Sequence, residues 1–196
     1  MAFTVAVAML GVASNARAVE TVALSRATNM PALTGVTLNG QAQTTTKAWN
    51  LATNRFKVTS SGTPDIGWNM TVNGDGSAGN SPVFKQFCPN ASCGTDSAGY
   101  VSGGFTLAAD SLSLNTAAAT WTTSGTTPTY QCNVVACPID SGTPVKIVSA
   151  SSSVATGIWT SSGSAIMSLD TPSTLHKLQT GEVYSVNLVW TVNTGP

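Results

Sequence analysis

Charge is what this chain has least of. Only 8% of its 196 residues are Asp, Glu, Lys or Arg, eight basic and eight acidic, against about 25% in an ordinary soluble protein. No basic run or aromatic-basic patch exists, which argues against a nucleic-acid partner. A surface this neutral also has little repulsion to keep copies apart, so self-association stays open. Histidine is nearly absent as well. His176 stands alone beside Lys177 in a loop-like stretch, and no Gly-x-Ser-x-Gly elbow occurs, so a serine-type hydrolase lacks its usual base and nucleophile setting. Helical periodicity is missing beyond the first residues, and no later apolar run approaches the roughly 20 residues needed to span a bilayer.

What is there instead is Thr, Ser, Asn and Gly. Thr is stiff at Cβ and suits strands, while Ser and Asn compete for the backbone and suit turns. The length fits one ordinary domain with a real core. Residues 2–13 are almost all apolar or small, and Ala16-Arg17-Ala18 is a small-x-small site. These residues read as a signal peptide, 1–18, although no Lys or Arg follows Met1; a retained short helix is the alternative. The reading implies a secreted, extracellular protein. Residues 19–30 follow as an arm or leading strand, and 31–196 as one domain.

The four cysteines form two C-x4-C pairs, Cys88 with Cys93 and Cys132 with Cys137. Local pairing within each is expected, since each brackets a loop-like stretch. A four-cysteine zinc site is the weaker reading in a secreted chain, so no metal and no cofactor are expected.

Residues 181–192, G-E-V-Y-S-V-N-L-V-W-T-V, carry the strongest pattern. Tyr184, Val186, Leu188, Trp190 and Val192 fall at alternate positions, the period of a strand with one buried face. Such a strand should sit in the middle of a sheet. Ile66, Trp68, Met70 and Val72 alternate in the same way and end at Asn73-Gly74-Asp75-Gly76, a tight turn. Shorter runs at 33–39, 49–51, 56–58, 105–107, 112–114, 118–121, 145–148, 157–159 and 165–169 are separated by Gly, Ser, Asn or Pro. This spacing predicts an all-β fold, a single antiparallel β-sandwich of Ig-like or Greek-key type. The stretches 73–102 and 124–144 read as disulfide-bearing loop excursions from it.

No catalytic constellation stands out. The eight carboxylates are isolated in sequence, and nothing marks two of them as a glycosidase pair. Asn69-Met70-Thr71 and Asn90-Ala91-Ser92 match the glycosylation sequon by pattern alone. Among the tryptophans, Trp68 and Trp190 lie on the apolar sets of their strands and read as core. Trp121 and Trp159 have Thr neighbours, which makes them the candidates for a surface contact with a carbohydrate.

Two stretches carry a family resemblance. Phe56-Lys57-Val58-Thr59, the turn 60–67 and Trp68-Asn69-Met70 look like the first motif of WxL-type surface domains of Gram-positive bacteria. Gly181, Tyr184, Leu188 and Trp190-Thr191-Val192 look like the second. Met70 and Val192 stand where that family has Leu, and the cysteines lie outside its pattern. The resemblance implies a non-catalytic protein at the cell surface, bound non-covalently to the cell wall with peptidoglycan as ligand. A self-assembling subunit of a fibre or surface layer, joined through the 19–30 arm, is the alternative. A secreted hydrolase comes a distant third.

Overall fold

The structure is a computed structural model and describes residues 21–26, 30–61, 66–123, 127–152 and 156–195. The expected signal peptide, 1–18, lies outside the described residues. Among those residues every regular element is a strand. They run β1 (Thr21–Arg26), β2 (Gln43–Asn50), β3 (Phe56–Ser61), β4 (Trp68–Gly74), β5 (Lys85–Cys93), β6 (Asp96–Tyr100) and β7 (Leu112–Asn115). Then come β8 (Ala119–Thr123), β9 (Thr129–Tyr130), β10 (Cys137–Pro138), β11 (Val145–Ala150), β12 (Gly157–Thr171), β13 (Val183–Ser185) and β14 (Leu188–Thr194). All their pairings are antiparallel.

The long strand β12 organises the largest sheet. Trp159, Ser161, Ala165, Met167 and Leu169 alternate inward along it. Its first half pairs with β3 and β8, its second with β2 and β7. The exchange falls at Gly163, whose φ is +72° and whose missing side chain leaves room for the Ala118 carbonyl. Any larger residue would be strained there and would also collide. A second sheet runs β14-β4-β11-β9, and a third β13-β5-β6.

The all-β, antiparallel expectation holds, whereas the single sandwich gives way to three sheets. The reason is local. Residues 73–102, expected as a loop excursion, contain the paired strands β5 and β6. The closing pattern 181–192 is likewise two strands in two sheets, divided at Val186-Asn187. Asn187 takes its backbone bonds elsewhere, with Ser81 and Asp75. β14 forms the edge of its sheet rather than the middle. The 33–39 run forms no strand, while Thr-rich β2, invisible as apolar alternation, is held by eight register pairs to β12.

The core has two aromatic clusters. Trp68 lies 5.3 Å from Trp159 and 6.2 Å from Trp121 between ring centroids. Trp49, Phe56 and Trp190 pack mutually at 4.7–5.7 Å. Burial of this much ring surface is the main apolar stabilisation of the fold. Both local disulfides, Cys88–Cys93 and Cys132–Cys137, are formed as expected.

Candidate functional site

Trp121 and Trp159 are not surface aromatics. Trp159 is 0% exposed and Trp121 9%. Their Thr neighbours are the outward half of strands buried on one face, so polar neighbours signalled alternation and not exposure. Trp68 and Met70 on β4 and Trp190 on β14 are buried, as read from their patterns. The two motif stretches also meet in space: β4 and β14 are adjacent, with Val192 opposite Met70 and Thr194 opposite Trp68. Tyr184 lies apart on β13, packed against the core, its hydroxyl donating to the His176 carbonyl at 3.1 Å.

The residues best placed for contact lie on the third sheet. β5 is its centre, with β13 on one side and β6 on the other. Val183 is opposite Phe87, and Phe87 opposite Tyr100. Cross-strand partners share a face, so these three form a row across the sheet. Ser185 and Lys85, paired to each other, extend the same face by one step. Phe87 and Tyr100 meet edge to face at 4.9 Å. Val183 is 46% exposed, the two rings are half-buried, and none of the three packs against the main core. The other face of this sheet, carrying Gln86, Cys88 and Tyr184, turns inward.

Polar groups border the row. The Tyr100 hydroxyl donates a short hydrogen bond to Asn187 Oδ1, and burial raises its pKa above the usual phenol value, with Ser185 opposing. Asp75, in the turn after β4, is held below the usual carboxylate range by the Ser77 hydroxyl and backbone N–H and by Asn80. An ionised carboxylate, an ammonium group and a carboxamide therefore edge an apolar strip. Chemically this suits a ligand with an apolar face and hydrogen-bonding margins, which is how a pyranose ring presents itself to an aromatic side chain.

A second cluster sits on the inward face. Asp96 and Glu182, isolated in sequence, come together around Gln86. Its Nε2 donates to both oxygens of Glu182 at 2.9 and 3.0 Å and reaches Asp96 Oδ2 at 3.5 Å. The Glu182 carboxyl beside Asp96 raises its pKa, while the Gln86 amide lowers that of Glu182. Next to them the rings of Phe105 and His176 stack with centroids 4.0 Å apart. Among the described residues no three His, Cys, Asp or Glu side chains are grouped to hold a metal ion, and no helix is long and apolar enough to cross a membrane.

No protein-family model, curated protein or solved structure matches the chain.

Reasoning from sequence passed over Phe87 and Tyr100 because both lie in 73–102, read as loop. The usable signal was the alternation of Lys85, Phe87 and Pro89 against Gln86 and Cys88, masked by the disulfide stretch that follows.

Proposed function

We propose that this is a secreted, non-catalytic cell-surface protein of WxL-like type that attaches non-covalently to a cell-wall polymer. Its binding face is the Val183–Phe87–Tyr100 row. The observation carrying this reading is that the row is solvent-facing and detached from the core, in a chain that buries its tryptophans deeply. Peptidoglycan glycan is the ligand the resemblance implies, and an aromatic strip edged by Asp75, Lys85 and Asn187 fits its sugar rings. The sequence pattern at residues 1–18 supports secretion, and two disulfides agree with an oxidising compartment.

The alternatives carry less support. Assembly by arm exchange needs an unpaired arm, but β1 pairs along its full length with β3 of the same chain, Thr21 opposite Ser61 to Arg26 opposite Phe56. A glycosidase places its two carboxyls about 5–10 Å apart with the sugar between them. Asp96 and Glu182 instead converge on a single amide nitrogen, Gln86 Nε2, which lies 3.5 Å from Asp96 Oδ2 and 2.9 and 3.0 Å from the Glu182 oxygens, so no sugar fits between them.

Co-sedimentation with purified sacculi tests the proposal. The protein should pellet only with sacculi, and the combined Phe87→Ala and Tyr100→Ala variant should lose at least about tenfold in affinity while staying folded. Pelleting without sacculi would favour the fibre subunit instead.

A further inference from the structure

We propose that residues 172–182, the strap joining β12 to β13, are an acid-strengthened latch on the β5–β6 hairpin, closed when Asp96 and Glu182 share one proton. The geometry is that of a clasp. Gln179, on the strap, donates from Nε2 to Asp96 Oδ2 at 3.0 Å and to Thr95 Oγ1 at 3.3 Å, while its Oε1 accepts from the Thr95 backbone N–H at 3.2 Å. Its backbone N–H donates to Glu182 Oε2 at 2.9 Å, and the Glu182 N–H returns a bond to the Gln179 carbonyl at 3.2 Å. Gln86, itself nearly fully buried, ties both carboxyls to β5. Its Oε1 accepts from the Phe105 N–H at 3.2 Å. The far end of the strap is fixed by His176, stacked on Phe105 and bonded through its carbonyl to Tyr184.

Two carboxylates bound to one amide nitrogen repel each other, and one proton between them converts repulsion into a hydrogen bond. Asp96, with its pKa raised from 3.8, favours the closed strap at low pH and loses that contribution as pH rises through its folded value. Glu182, lowered from 4.5, favours it at higher pH and loses that contribution as pH falls through its folded value. The strap is therefore tightest in the acidic window between the two folded values and loosens on either side. The other titratable or charged groups near the pair are His176 and Lys177 on the strap and Tyr184 on β13. From β5 only neutral Gln86 faces it, since Lys85 belongs to the opposite face. The latch needs no ligand, so its fate is independent of wall binding.

Amide exchange of Gln179 and Glu182, with the carboxyl carbons of Asp96 and Glu182 followed by NMR from about pH 3 to about pH 8, reads the latch directly. Expected are two separated carboxyl steps and protection factors that peak between them and fall about threefold or more toward neutrality. Asp96→Asn places an amide where the shared proton sits, so protection should persist to neutral pH. Glu182→Gln should do the same if the first variant folds poorly. A flat profile in the unaltered protein overturns the proposal. So does a variant that keeps the acid-dependent step.

Discussion

Asp140 is completely buried with one oxygen bonded to the Leu112 N–H at 2.8 Å and the other without a partner among the described residues. Burial pushes its pKa from 3.8 up to about 6, with Asp110 adding to the effect. Because the folded value lies above the unfolded one, its favourable contribution is complete below about pH 4 and is lost as pH rises through about 6. Ionising it in place costs on the order of 1–3 kcal/mol. Melting temperature should therefore fall across that interval, and Asp140→Asn should remove this part of the fall. Parallel pH profiles for the two proteins would contradict the assignment. Nothing around Asp140 in sequence, Pro138-Ile139-Asp140-Ser141, marks it as buried; only the fold delivers it beside Leu112. Trp159 teaches the same lesson in reverse. Its neighbours Ile158 and Thr160 gave no means of telling which half of the alternation faces in, and the interior of the long strand decided it.

Among the elements, β12 carries the largest consequence. Its change of partners at Gly163 depends on a positive φ and on space for the Ala118 carbonyl. Gly163→Ala should cost at least about 2 kcal/mol in chemical denaturation. Gly142→Ala, where an added Cβ meets nothing within 4 Å, should stay within about 0.5 kcal/mol. Equal effects at the two sites would show that the bend is not needed. The strands legible in sequence were those with one face buried against the core, β4 and β14 above all. Of the strands that were missed, β2 owes its existence to a partner far along the chain, whereas β5 pairs with its neighbour β6 inside a stretch that reads as loop and with distant β13 on its other side. Thr44, Thr45 and Thr46 show no apolar alternation, yet β2 is fixed by β12, more than a hundred residues further along the chain. The cysteine pairs were readable because each closes over a sequence separation of 5, a constraint that no distant contact has to supply.

At the scale of the molecule, the three sheets divide the work. Two of them bury the tryptophans and bring the two motif strands side by side, while the third turns Tyr184 toward the core and displays Val183, Phe87 and Tyr100 on its other face. β1 forms the edge of the largest sheet next to β3, with Val22 and Leu24 packed on the core. The proposed binding site was not legible in advance because it needs strands from residues 85–100 and 183–185 to meet. The most direct test is an NMR titration with soluble wall fragments released by a muramidase. The account predicts that the ring resonances of Phe87 and Tyr100 and the Val183 methyls shift together and saturate, while those of Trp121 and Trp159 stay still. Saturable shifts confined to any other surface, with the row silent, would contradict it.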